Sequence, residues 1–149
     1  MKKLNTVLFV LFTFLVFTSC SNEKETTTNE SIIGKWELIQ IGSSLESLET
    51  QDGGGCNLSY REFFENGTYR SGDYYINSQN DCTLESEYHT WSKEQNTLTI
   101  LHSGTVVGES DYEEILTILE LTQTTLIIKF YDEQSNDETI LVFSKTSKN

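Results

Sequence analysis

The sequence contains no proline and no alanine, and it has few basic residues. Only 10 of its 149 residues are Lys or Arg, against 23 Asp or Glu, which gives a formal net charge of -13. Because phosphate backbones are bound by concentrated Lys and Arg, this charge excludes a nucleic-acid partner. Because Ala is the strongest helix former, its absence disfavours a helical bundle. The length allows one domain.

The chain begins with features that are typical of an export signal. Lys2 and Lys3 precede an almost wholly apolar stretch at residues 7–17, which is followed closely by Cys20. The stretch is shorter than the roughly 20 apolar residues needed to span a membrane, so we expect a cleaved signal peptide at residues 1–19. Cleavage leaves eight basic and 23 acidic side chains, a net charge of -15.

The four residues before Cys20, Val-Phe-Thr-Ser, resemble the lipobox of bacterial lipoproteins. This resemblance implies that Cys20 becomes the first mature residue and carries a diacylglycerol; an ordinary signal with a coincidental cysteine is the alternative. Anionic lipid headgroups would repel a mature chain with this net negative charge. We therefore expect membrane contact only through the lipid on Cys20. The polar residues 20–31 are predicted to form a lipidated flexible tether. The resemblance to bacterial lipoproteins, with Ser21 and not Asp after the cysteine, favours an outer-membrane destination over retention in the inner membrane, and the leaflet stays open.

The remaining residues, 32–149, contain eight short extended runs separated by turn signals. The runs are rich in β-branched and aromatic residues and cover residues 33–41, 58–65, 68–76, 87–93, 98–103, 112–121, 124–131 and 138–145. The run from Tyr112 to Leu121 also fits helical spacing, so a strand is favoured there and a helix stays open. Successive strands joined by short turns predict an all-β fold, an eight-stranded antiparallel up-and-down barrel, because closure removes both exposed edges.

The Asn66-Gly67 pair is the strongest turn signal and predicts a two-residue hairpin loop. Such a loop pairs residue 65 with residue 68. It therefore places Phe64 opposite Tyr69, and Tyr60 opposite Asp73, on one face of the hairpin. We expect this face to line the barrel lumen, because an aromatic pair packs well there.

Alternation along other strands adds three inward positions, so the predicted ligand-contacting residues are Tyr60, Phe64, Tyr69, Ile100, His102 and Phe130. Apolar residues are about a third of the mature chain, which favours a lumen that is partly wet or liganded. The same rings could instead fill a small barrel, and both interpretations stay open.

With Cys20 lipidated, Cys56 and Cys82 remain, an even number in a compartment that permits disulfides. The predicted hairpin register brings both thiols near the open end of one hairpin, so we expect a bridge between them. A loop of this length would stabilise the fold by roughly 3.5 kcal/mol in the chain-entropy model. A metal pair is the weaker alternative, because no CxxC or nearby His spacing supports it.

The sequence contains no recognisable catalytic set. His89 and His102 are the only imidazoles, and no Ser/His/Asp signature, P-loop or zinc spacing surrounds them. The acidic turn at residues 132–138 lacks the glycine of a calcium-binding EF-hand loop. We therefore expect no enzymatic activity, no cofactor and no metal.

Several short motifs follow one another in a consistent order: Gly34-Lys35-Trp36, Phe64-Glu65-Asn66-Gly67-Thr68-Tyr69, Asn96-Thr97-Leu98-Thr99-Ile100 and Phe143-Ser144-Lys145. This order resembles the lipocalin-like domain common in lipoproteins of Bacteroidetes-type bacteria, over about residues 32–145. The resemblance implies an eight-stranded barrel in which Trp36 packs across the closed end.

We therefore expect a monomeric, lipid-anchored envelope protein whose barrel binds a small hydrophobic or amphipathic molecule. The alternative is an interaction module with a packed barrel that contacts envelope proteins or glycans through the loops at residues 45–55 and 104–111.

Overall fold

The computed structural model describes residues 30–103, 110–132 and 136–147. The signal peptide expected at residues 1–19 and the lipidation expected at Cys20 lie outside the described residues. So does the predicted tether, apart from its last two residues, and so does most of the loop at 104–111.

Nine strands account for most of the described chain. They are β1 (Gly34–Gly42), β2 (Glu49–Thr50), β3 (Tyr60–Phe63), β4 (Thr68–Ile76), β5 (Cys82–Glu94), β6 (Thr97–His102), β7 (Tyr112–Leu121), β8 (Thr125–Asp132) and β9 (Asp137–Lys145). A three-residue 3-10 helix at Gly53–Gly55 precedes β3. None of the described segments forms a helix long and apolar enough to cross a membrane. The helical alternative for β7 is wrong, because its residues pair with strands on both sides.

The long strands form a closed antiparallel barrel, which confirms the predicted fold. From β3 onward each strand pairs with the next, β1 pairs with β3, and β1 also pairs with β9. The two-residue β2 adds only a short pairing to the end of β1. Because side chains alternate across a strand, every long strand presents one set of residues to the lumen and the other to solvent.

The β3–β4 hairpin has a different register from the one predicted. Tyr60 pairs with Gly72 and Phe63 pairs with Tyr69, one residue away from the expected pairs. A two-residue type I′ loop needs positive φ at both central residues. Here Gly67 has φ +80° and Asn66 does not have positive φ, so the type I′ loop does not form, and four residues, 64–67, separate β3 from β4. The one-residue shift exchanges the inner and outer faces of β3.

One end of the barrel is closed by a buried aromatic cluster. Trp36 is fully buried, and its indole Nε1 donates a hydrogen bond of 2.7 Å to the carbonyl of Ile32. The Phe63 ring contacts the Trp91 ring edge to face, with centroids 5.4 Å apart. The chain enters β1 at this end, so residues 30–33 lie beside the closed end and away from the mouth.

The predicted disulfide between Cys56 and Cys82 is confirmed, with Cα atoms 5.6 Å apart. Cys82 opens β5 opposite Ile76, and Cys56 follows the 3-10 helix. The bridge therefore ties the connection before β3 to the far end of the β4–β5 hairpin. That hairpin extends beyond the barrel, because β5 begins at Cys82 and not at residue 87.

We expect Gly72→Ala to destabilise the barrel by about 1–3 kcal/mol through overpacking. A Cβ at this position would lie 2.3 Å from atoms of the Tyr60 ring, which covers Gly72 on the outer face. Chemical denaturation measures the loss. Ser86→Ala, at the exposed position paired with Gly72, is the control and should change stability by less than about 0.5 kcal/mol. Additive effects of Gly72→Ala and Tyr60→Ala in the double variant would contradict the proposed steric conflict.

Candidate functional site

The barrel lumen contains a cavity of about 240 Å³. Its lining comes from β3 to β9, and it lies between the closed end and the opposite end of the barrel, here called the mouth. The residues nearest the closed end are apolar, and those nearest the mouth are polar or charged. The cavity therefore offers two different environments to whatever occupies it.

The apolar part, called the floor, is made by side chains from five strands. They are Phe63 on β3, Leu98 and Ile100 on β6, Leu116 on β7, Leu126 and Ile128 on β8, and Phe143 on β9, all of which are buried. Leu98, Ile100 and Leu126 belong to the same core cluster as Trp36. Because the floor is continuous with this core, packing holds its shape.

The polar part contains an ion pair between Arg61 on β3 and Asp73 on β4. The Arg61 Nη1 atom lies 2.9 Å from Asp73 Oδ1 and also donates a hydrogen bond of 2.9 Å to the carbonyl of Tyr60. Burial lowers the pKa of Arg61, but interactions with Tyr69 and Asp73 outweigh it, so the net pKa is raised. The guanidinium is therefore charged and already paired.

Four rings form a row across adjacent strands at the mouth. Tyr69 pairs with His89 across β4 and β5, and His102 pairs with Tyr112 across β6 and β7. Ring centroids lie 6.1 Å apart for Tyr69 and His89, 4.2 Å for His89 and His102, and 4.4 Å for His102 and Tyr112. The row is called the ring ladder below.

Each imidazole of the ring ladder contacts a carboxylate. His89 Nε2 lies 3.3 Å from Glu87, and His102 Nε2 lies 3.1 Å from Glu114. A carboxylate accepts only, so each Nε2 carries the proton in this contact. In a neutral His89 the Nδ1 atom is then an acceptor. It is buried and has no hydrogen-bond partner among the described residues.

Tyr69 joins the ring ladder to the charged groups. Burial is the main cause that raises the pKa of its phenol above the ordinary value of 10.0. The positive charge of Arg61 lowers this pKa, and the negative charges of Glu114 and Asp73 raise it, so the net pKa is raised. The hydroxyl is therefore protonated at neutral pH and can donate a hydrogen bond.

Four of the six residues predicted to contact a ligand lie on the cavity wall: Tyr69, Ile100, His102 and Phe130. The placement of the other two was wrong, because the hairpin register differs by one residue. Tyr60 lies on the outer face of β3, where Lys35 Nζ is 4.1 Å from its ring centroid. Phe64 lies in the β3–β4 turn, where its backbone NH donates to the Thr68 carbonyl.

Sequence reasoning placed Asp73 on the hairpin face expected to line the lumen, but it did not identify Arg61, Glu87, His89 or Glu114 as lining residues. Arg61, Asp73, Glu87 and Glu114 all line the cavity, and so does His89. The correct hairpin register would have placed Arg61 and Phe63 on the inner face together. Within the described ranges, no group of three or more His, Cys, Asp or Glu side chains is arranged to hold a metal ion.

A family model for the lipocalin-like domain matches residues 32–128 of this chain. A solved structure of a lipocalin-like protein from Bacteroides uniformis is similar, with a TM-score of 0.51 at 13% sequence identity. The similarity covers 76% of this chain and 97% of that one. At this identity the two proteins share a fold, and nothing more follows from the likeness.

Two mammalian structures are also similar. Bovine odorant-binding protein, solved in complex with undecanal, has a TM-score of 0.43 at 18% identity, covering 78% of this chain and 72% of that one. Aphrodisin, a sex pheromone from female hamster, has a TM-score of 0.42 at 17% identity, covering 79% and 76%. At these TM-scores nothing about ligands is carried over. No curated protein sequence matches this chain.

We expect Tyr69→Phe to reduce the decrease in the free energy of unfolding that occurs at alkaline pH. Because the pKa of Tyr69 is raised in the folded state, the unfolded chain releases this proton first as pH rises above about 10. The wild-type protein then loses roughly 1 kcal/mol by about pH 11, and the variant does not. Urea unfolding at several pH values measures the difference. Tyr75→Phe, at an exposed ring, is the control, and parallel profiles for wild type and Tyr69→Phe would contradict the expectation.

Proposed function

Since the chain belongs to the lipocalin-like domain family, we propose that it is a binding protein, not an enzyme, whose lumen holds a small hydrophobic or amphipathic molecule. The observation that carries this proposal is the cavity of about 240 Å³ with an apolar floor and a polar mouth. A packed barrel that acts only through its loops has no need of such a cavity.

The cavity volume limits the size of the ligand. An apolar cavity of about 150 Å³ accepts benzene, and pockets for drug-sized molecules start at about 300 Å³. A volume of about 240 Å³ lies between these two, so it suits one ring or a short chain with one polar group.

The apolar floor determines how much affinity hydrophobic burial alone can provide. An aromatic ring of side-chain size buries about 150–250 Å² of surface, and at about 25 cal/mol per Å² this is worth about 5 kcal/mol. That energy alone corresponds to a Kd of a few tenths of a millimolar. Tighter binding therefore requires polar contacts at the mouth.

We propose further that a lipid on Cys20 anchors the protein to the outer membrane of a bacterial envelope. The lipobox-like residues before Cys20 support this, and so does the net charge of -15, which leaves no electrostatic attraction to anionic lipids. The chain reaches β1 at the closed end, where Lys145 Nζ lies 3.4 Å from the Ser31 carbonyl. A tether attached there leaves the mouth facing away from the point of attachment.

We expect Ser71→Phe to weaken binding of a lumen ligand at least tenfold. Ser71 lines the cavity, so a phenyl ring at this position occupies the space of the ligand. Binding of 2-phenylethanol is followed by chemical-shift changes in two-dimensional NMR spectra, which also report whether the fold is kept. Ser92→Phe makes the same change at an exposed position and should bind as wild type does. Unchanged binding by Ser71→Phe, with shifts outside the lumen, would argue against a lumen site.

We expect Cys20→Ser to abolish covalent lipidation, because the thioether needs the cysteine sulfur. Metabolic labelling with an alkyne fatty acid, followed by mass spectrometry of the first mature residue, measures the modification directly. Fractionation alone is insufficient, since an uncleaved apolar leader can hold the variant on the membrane. Ser21→Ala keeps the cysteine and should keep the label. A wild-type chain without the label would refute the anchoring proposal.

A further inference from the structure

The mouth of the cavity carries an excess of negative charge. One guanidinium, that of Arg61, lines the cavity together with the carboxylates of Asp73, Glu87 and Glu114. With neutral imidazoles the lining therefore has two net negative charges. An anionic ligand group would enter this field unfavourably, whereas a cationic group would be attracted.

The one cation among the described lining residues already has an anionic partner. Arg61 is paired with Asp73 at 2.9 Å, and the same nitrogen donates to the Tyr60 carbonyl. A ligand carboxylate at this guanidinium would have to share its positive charge with the Asp73 carboxylate. The two carboxylates would also repel each other, so the gain is smaller than at an unpaired arginine.

Several acceptors among the described lining residues are available to a ligand that donates hydrogen bonds. Glu87 and Glu114 each accept one contact from an imidazole, and a carboxylate has capacity for further donors. The His89 side chain is only 8% exposed, and its Nδ1 atom has no partner among the described residues. A buried acceptor without a donor costs about 1–3 kcal/mol, so a ligand donor that reaches this nitrogen would recover part of that cost.

The ring ladder adds a third attraction for a cation. Tyr69, His89 and His102 line the cavity, and the Tyr112 ring stacks on His102 outside the cavity lining. A cation within about 6 Å of an aromatic face is favoured by about 0.5–2 kcal/mol. For an anion the described lining offers the paired Arg61 and the neutral hydroxyl donors of Tyr69 and Ser71, against the three carboxylates of Asp73, Glu87 and Glu114.

We propose that the lumen is selective for small amines: an apolar ring or short chain on the floor, with an ammonium group at Glu87 and Glu114 beside the ring ladder. This inference rests on the proposed ligand-binding function and narrows it to one chemical class. It excludes fatty acids and other carboxylates as preferred ligands.

Three ligands with one apolar body test the selectivity: 2-phenylethylamine, 2-phenylethanol and phenylacetate, titrated at neutral pH and low salt. We expect the amine to bind about tenfold more tightly than the alcohol, and phenylacetate to bind most weakly. Phenylacetate binding as tightly as the amine would overturn the inference and leave lumen binding intact. If none of the three binds, lumen binding of ligands of this size fails, and the selectivity fails with it.

A pair of variants on β7 tests the role of the carboxylate. We expect Glu114→Gln to reduce the preference for amine over alcohol at least threefold, because the loss of the negative charge weakens binding of the amine more than binding of the alcohol. Glu113→Gln removes the same charge at the adjacent exposed residue, on the opposite face of the strand, and should keep the preference. Equal effects of the two variants would assign the preference to the overall charge of the protein and would refute the proposed contact.

Discussion

The pairing of β1 with β9 is the contact on which the rest of the molecule depends. It joins the first and last long strands from Trp36 opposite Lys145 to Gly42 opposite Ile140 and turns a sheet with two edges into a closed barrel. Closure leaves neither of these strands with an unpaired edge and gives every long strand an inside. Residues such as Leu126 and Phe143 are buried only because the barrel is closed around them.

The closed barrel also has two different ends: the aromatic cluster at the closed end stabilises the fold, and the polar mouth is available for binding. The aromatic cluster at the closed end includes Trp36, whose indole NH is satisfied by the Ile32 carbonyl, so no polar group there needs a ligand. At the mouth the polar groups are partnered only in part, as His89 Nδ1 shows. The cavity lies where packing stops and polar groups begin, so a ligand can be exchanged without opening the core.

Much of the fold could be predicted from local sequence. Alternation and turn signals located eight runs that correspond to the long strands, and the number of cysteines identified the bridge between Cys56 and Cys82. The register of one hairpin could not be predicted in this way. The turn after Phe64 is held by β5, because the Trp91 backbone NH donates to the Gly67 carbonyl and its indole NH donates to the Phe64 carbonyl. A contact with a residue 24 positions away from Gly67 is invisible to a local turn rule.

The error in one turn explains why Arg61 was not predicted to line the lumen, whereas Tyr69 and His102 were. It does not explain why Glu87, His89 and Glu114 were missed, because they lie on β5 and β7. The inward-facing residues of β6 and β8 were predicted correctly, because the alternation of apolar side chains marks the inner face of a strand without knowledge of the strand it pairs with. In β3 both faces carry aromatic and charged residues, so only the register decides that Arg61 is inside and Tyr60 outside. The selectivity of the mouth therefore depends on pairing between strands. Two sequences with the same apolar pattern and different turns would enclose different chemistry in the same barrel.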